Sequence, residues 1–207
     1  MTHYFSSWFY VAVALGLSVV LSRTAIAEGE NPSQINVNLA PDSWPIDSFS
    51  LIDQHGHFFT EKNFRGHWTF VVFGRTNCKN ACNVPLATLA RMVEVLHKTH
   101  VVRTTQILFI TLDPEQDTPE RLRVYLAGFD QGFVGAIGSP QTLQQLAESL
   151  SVSYPASTIT PENFQAEERS SIQLIGPGGF FRAQFFPPYN VDALTAEFLK
   201  IRLCGRQ

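Results

Sequence analysis

Two largely apolar runs, residues 68–73 and 107–112, predict strands covered on both faces, as in a parallel sheet. Between them Leu86, Leu89, Val93 and Leu96 recur at threes and fours, which predicts a helix with Pro85 in its first turn. Thr118-Pro119-Glu120 supplies an N-cap, an N1 proline and an early acid for a second helix reaching about residue 129. Ser139-Pro140 repeats the device for a third, to about residue 150, and residues 133–137 make a short strand between them. Upstream, residues 49–53 and 57–60 alternate around Gln54-His55-Gly56, a β-hairpin that implies a small N-terminal sheet. Downstream, residues 171–175 and 180–185 flank Gly176-Pro177-Gly178-Gly179, a second hairpin. Residues 191–203 close the chain as a helix with Leu194, Phe198 and Ile201 on one stripe.

The order is therefore hairpin, β, α, β, α, β, α, hairpin, helix. Parallel strands with helical crossovers that end in an antiparallel hairpin make a mixed sheet flanked by helices, an α/β fold.

Export changes the picture of the N-terminus. An apolar run over residues 8–21 is short for a bilayer span and precedes Ala25-Ile26-Ala27, a small-x-small cleavage pattern. Residues 1–27 read as a signal peptide, or, since no Lys or Arg lies ahead of the apolar run, as a retained membrane anchor. Residues 28–45 are expected to be a tether and residues 46–207 one folded domain, with 17 Phe in the chain to fill its core. The expected location is the periplasm, free or tethered to the membrane. A net charge of −3 with scattered Lys and Arg argues against a nucleic-acid partner.

In an oxidising compartment three cysteines are too few for a disulfide scaffold. Two of them form Cys78-Lys79-Asn80-Ala81-Cys82, after a strand and a Gly74-Arg75-Thr76-Asn77 turn and ahead of the helical pattern. Thiols four apart on a first helical turn have Cα atoms about 6 Å apart, within reach of a disulfide. The helix N-terminus, Arg75 and Lys79 would favour thiolate. The pair is open to three readings: a redox dithiol, a metal-binding pair, or a structural disulfide. With a dithiol at that position the element order is the thioredoxin-like arrangement.

At this point the chain resembles the SCO/SenC family over about residues 46–200. The resemblance is carried by Phe49-x-Leu51-x-Asp53-x-x-Gly56, Phe73-Gly74-x-Thr76-x-Cys78-x-x-x-Cys82 and Leu112-Asp113-Pro114-Glu115-x-Asp117-Thr118-Pro119-x-x-Leu122. Tyr125, Gly138 and Leu174-Ile175-x-Pro177-x-Gly179 extend it. It implies a thioredoxin-like fold, Cu(I) bound by Cys78 and Cys82, and assembly of the copper site of cytochrome c oxidase, whose copper-site subunit is the implied partner. It also places Asp113 beside the dithiol, where a turn-forming role is the alternative. Family members add a histidine ligand in an Asp-His-Ser segment, and here that segment aligns with Glu168-Arg169-Ser170. Arg169 stands in the histidine's place, a permanent cation for a neutral ligand, and could pair with Asp113. Asn83 likewise replaces a proline usual after the second cysteine.

No other residue readily supplies the missing ligand. His55 and His57 are expected to face opposite sides of the hairpin tip, and His97 and His100 to sit at the far end of the first helix. His67 lies at the wrong end of its strand. Cys204 is a helix residue without a role, an intermolecular partner or a resolving thiol. With only Met1 and Met92, a Met-rich copper surface is excluded. Two functions follow: carriage of Cu(I) on the dithiol, or thiol-disulfide exchange with an exported thiol protein, an enzyme activity without stable copper binding.

Overall fold

The computed structural model describes residues 35–40, 44–77, 83–152 and 171–204, all within one compact unit, Asn31–Gln207. The apolar run at residues 8–21 and most of the 28–45 tether lie outside them. Among the described residues no helix is long and apolar enough to cross a membrane.

The described strands are β1 (Asn36–Leu39), β2 (Ser50–Asp53), β3 (Phe58–Thr60), β4 (Trp68–Gly74), β5 (Thr105–Thr111), β6 (Val134–Ile137), β7 (Ile172–Ile175) and β8 (Phe181–Phe186). They form one sheet in the order β1-β8-β7-β4-β5-β6-β2-β3. The helices are α1 (Val84–Leu96), α2 (Pro119–Ala127), α3 (Pro140–Ser149) and α4 (Val191–Cys204). β4, β5 and β6 run parallel, while β7 pairs antiparallel with β4 and β2 pairs antiparallel with β6. The expected mixed sheet between helices is what forms.

The central runs are apolar throughout because each strand feeds two cores. Phe70 and Val72 of β4 and Ile107 and Phe109 of β5 pack under α1, α2 and α4, while Val71, Phe73, Leu108 and Ile110 face α3 and the first hairpin. Alternate residues of one strand point to opposite faces, so both must be apolar. The helical stripe is buried as expected, with Leu86, Leu89 and Leu96 of α1 against Phe198 and Ile201 of α4 in one core. α2 and α3 start at the anticipated caps: the Thr118 and Ser139 side chains accept from the N–H groups of Arg121 and Thr142.

Three expectations change. The first hairpin is not a separate sheet: β2 pairs with β6 through Ile52↔Ile137 and Asp53↔Ala136, and the hairpin becomes one edge of the common sheet. The buried Gln54 side chain extends that joint, donating to Phe133 O at 2.9 Å and accepting from Gly135 N–H at 2.5 Å. The tether is also shorter than expected. Asn36–Leu39 within it form β1, antiparallel to β8, and Trp44 Nε1 donates to Ser149 O at 3.0 Å. Finally, His55 and His57 do not face apart. The Asp53 carboxylate accepts from both their N–H groups, at 2.8 and 2.9 Å, and Gly56 turns at φ +86°, so strand alternation stops before the tip. The two rings lie 6.3 Å apart. Burial pushes the Asp53 pKa up, but the two backbone donations and the neighbouring imidazoles outweigh it, and the net shift is below the ordinary value.

Candidate functional site

The parallel strands β4 and β5 end side by side, Gly74 opposite Thr111, with Leu112 N–H donating to Gly74 O at 2.8 Å. The carboxyl ends of parallel strands are where an open α/β sheet holds its site. Both chains leave the sheet there, one into Thr76 and the cysteines, the other into the turn before α2.

Gly74 is required by packing. A Cβ at this position would sit 2.7 Å from Phe109 Cε2, inside van der Waals contact. Gly74→Ala is expected to cost about 1 to 3 kcal/mol, as overpacking does in a filled core. Urea unfolding measures it, and an unchanged midpoint would mean that Phe109 moves aside freely.

Asp117 is the centre of the local hydrogen bonding. Its side chain is 1% exposed, and its two oxygens accept from Thr111 Oγ1 at 2.6 Å, Thr76 N–H at 3.1 Å and Thr76 Oγ1. A buried carboxylate is tolerated when donors of this kind surround it. The half-exposed Arg121 adds a more distant positive charge, its Nε 3.9 Å from Asp117 Oδ1. Asp117 thus ties the residue two before Cys78 to the end of β5 and the start of α2.

The other flank is tied to the same helix. Tyr125 Oη of α2 donates to Asn83 Oδ1 at 2.7 Å, next to Cys82. Asn83 holds the N-cap position of α1 in helical geometry, φ −86° and ψ −17°, and its side chain makes no capping bond. Its amide oxygen faces Tyr125 instead. Burial, with the Asp117 charge as a smaller cause, pushes the Tyr125 pKa up to about 12, which keeps the hydroxyl a donor. The Tyr125 ring packs against Phe109 and Phe129, centroids 5.5 and 5.3 Å away. Thr76, Tyr125, Arg121 and Val124 line an open cleft of about 480 Å³ beside this segment.

Of the site residues expected from sequence, Cys78, Cys82 and Arg169 lie outside the described residues, and so does any pairing of Arg169 with Asp113. The described span of α1 begins at Val84, two residues after Cys82. That helix has no acid in its first turn. Asp113 does stand at the site end of β5, but its contacts are those of a turn: its N–H donates to Thr111 Oγ1, and its carbonyl accepts from Gln116 and Asp117 N–H. Among the described residues the carboxylate bonded to Thr76 is that of Asp117. In the sequence Asp117 stands out only as part of the Asp113-Pro114-x-x-Asp117-Thr118-Pro119 motif, a charged residue just before the Thr118 cap.

The remaining candidates are distant from this end of the sheet. His67 precedes β4, and His97 and His100 follow α1, as expected. Exposed Cys204 ends α4, where Arg202 Nη1 donates to Thr104 Oγ1 just before β5 begins. It is therefore at the opposite end of the sheet from Thr76. Among the described residues no group of three or more His, Cys, Asp or Glu could hold a metal ion.

A family model described as SCO1/SenC matches residues 42–201. An SCO2-like protein of Rickettsia prowazekii is 27% identical over 194 residues, 92% of each chain. Among solved structures, Arabidopsis thaliana ScoI with copper bound is similar, with a TM-score of 0.66 and 28% identity over 77% of this chain and 98% of that one. Yeast Sco1 matches with a TM-score of 0.68 and 25% identity, over 78% of this chain and 99% of that one. The thioredoxin-like fold is that of these neighbours.

Proposed function

The chain belongs to the SCO1/SenC family, and on that premise we propose that it is an exported assembly factor that carries Cu(I) on Cys78 and Cys82 for maturation of a cytochrome c oxidase copper site. The observation that carries the reading is the position of the CxxxC segment, between the end of β4 and the start of α1, with both flanks held beside the carboxyl ends of the parallel strands. Copper is the cargo here. Two thiolates are soft donors that suit Cu(I) and can hold it linearly. Anaerobic titration of the reduced protein with Cu(I) tests this: one ion per chain is expected, and no binding against a weak competing chelator would refute it.

One observation favours a second reading, exchange of thiols and disulfides with an exported partner such as the oxidase copper-site subunit. Arg169 offers charge where the family's histidine would offer a ligand, and a nearby cation favours thiolate. In that reading Asp113 and Arg169 flank the dithiol without binding metal.

Export follows from the Ala25-Ile26-Ala27 pattern, which sets the mature N-terminus at Glu28. Intact mass of the secreted protein checks it. A membrane-bound product that retains Trp8 would replace cleavage with anchoring.

A further inference from the structure

We propose that Asp117 and Tyr125 are positioning residues for the dithiol, each fixing one end of the cysteine segment to a single element, α2 with the turn that leads into it. The inference rests on the dithiol reading above. Thr76 is bound to Asp117 through its N–H and its hydroxyl, and Asn83 is bound to Tyr125. Asp117 immediately precedes the Thr118 cap, and Tyr125 is two turns further along α2. Only residues 77–82 lie between the two held positions.

Both proposed chemistries close this segment on itself. A disulfide joins Cys78 to Cys82 covalently, and one Cu(I) joins them through its two bonds. Closing a loop costs conformational entropy, and a segment already fixed at both ends has less left to lose. The two clamps therefore favour the closed forms over the open dithiol. Releasing one clamp returns more freedom to the dithiol than to the disulfide, and the disulfide becomes easier to reduce.

Asp117 is also a charge, so replacing it would mix electrostatics with geometry. Tyr125→Phe and Thr76→Val are the cleaner variants. The first keeps the ring against Phe109 and Phe129, and the second keeps the β-branched shape and the N–H bond to Asp117. Thr76→Ser restores the hydroxyl. Thr195→Val is the control, because it deletes a buried hydroxyl that bonds only within α4, to Val191 O at 2.7 Å.

The experiment equilibrates each full-length protein with glutathione buffers. Oxidation takes two electrons and two protons from the Cys78 and Cys82 thiols, and one glutathione disulfide accepts them to become two glutathione thiols. Tyr125→Phe and Thr76→Val are each expected to shift the equilibrium toward the dithiol by about threefold, the scale of one lost hydrogen bond. Deuterium uptake over residues 77–83 should rise with it. Thr76→Ser and Thr195→Val should match the parent in both. The inference is overturned if the parent equilibrium is intact and the two clamp variants leave it unmoved, whether or not uptake rises. A parent that cannot be oxidised at all overturns the dithiol reading itself, and is recognised because every variant shares it.

Discussion

Cys78→Ser and Cys82→Ser are each expected to abolish tight Cu(I) binding and, necessarily, the intramolecular disulfide. Cu(I) is a soft ion, and the affinity of the site comes from thiolate sulfur. A serine hydroxyl is a hard, neutral donor that does not ionise near neutral pH, so a single substitution removes one of two strong bonds and one of two negative charges. Among the described residues no cluster of ligating side chains is available to compensate. Neither change alters a described core residue of α1, the first of which are Pro85 and Leu86. Competition with a Cu(I) chelator, on variants checked by thermal melting, provides the measurement. A single-cysteine variant that keeps one Cu(I) at the parent's affinity would place the copper elsewhere.

The parts of the fold that were legible in sequence are those in which one segment carries its own signal. β4 and β5 are apolar on both faces, and α2 and α3 each open with a cap, a proline and a polar first turn. What was not legible depends on partners remote in sequence. β1 is Asn-Val-Asn-Leu, too short and polar to announce a strand, and it is held to β8 through backbone hydrogen bonds that any side chain permits. Trp44 is fixed by a carbonyl 105 residues away. The candidate site shows the same division. The CxxxC pair is a local motif, while Asp117 acquires its meaning from Thr76, 41 residues earlier, and only the parallel pairing of β4 with β5 brings them together. Asp113, nearer the strand end and in the same run, is the residue that the family resemblance places beside the dithiol, and its described contacts are those of a turn.

Arg169→His is expected to raise Cu(I) affinity by roughly a hundredfold, since residues that merely support a metal ligand already account for about 10–100-fold and a direct ligand should reach the upper end. The effect has two parts. A guanidinium has no lone pair to offer and keeps its charge at every accessible pH, so it both fails to ligate and repels the ion. Arg169→Ala removes only the repulsion, which the two thiolates screen, and should recover the smaller share. The remainder belongs to the imidazole, which binds metal only when neutral. Its ordinary pKa of about 6.5 therefore sets a pH signature: the gain of Arg169→His over Arg169→Ala should be full at pH 8 and shrink as the pH falls below about 6. Chelator competition at both pH values separates the two parts. If Arg169→His binds no more tightly than Arg169→Ala at pH 8, position 169 does not face the dithiol, and the alignment of Glu168-Arg169-Ser170 with the family's ligand segment is wrong.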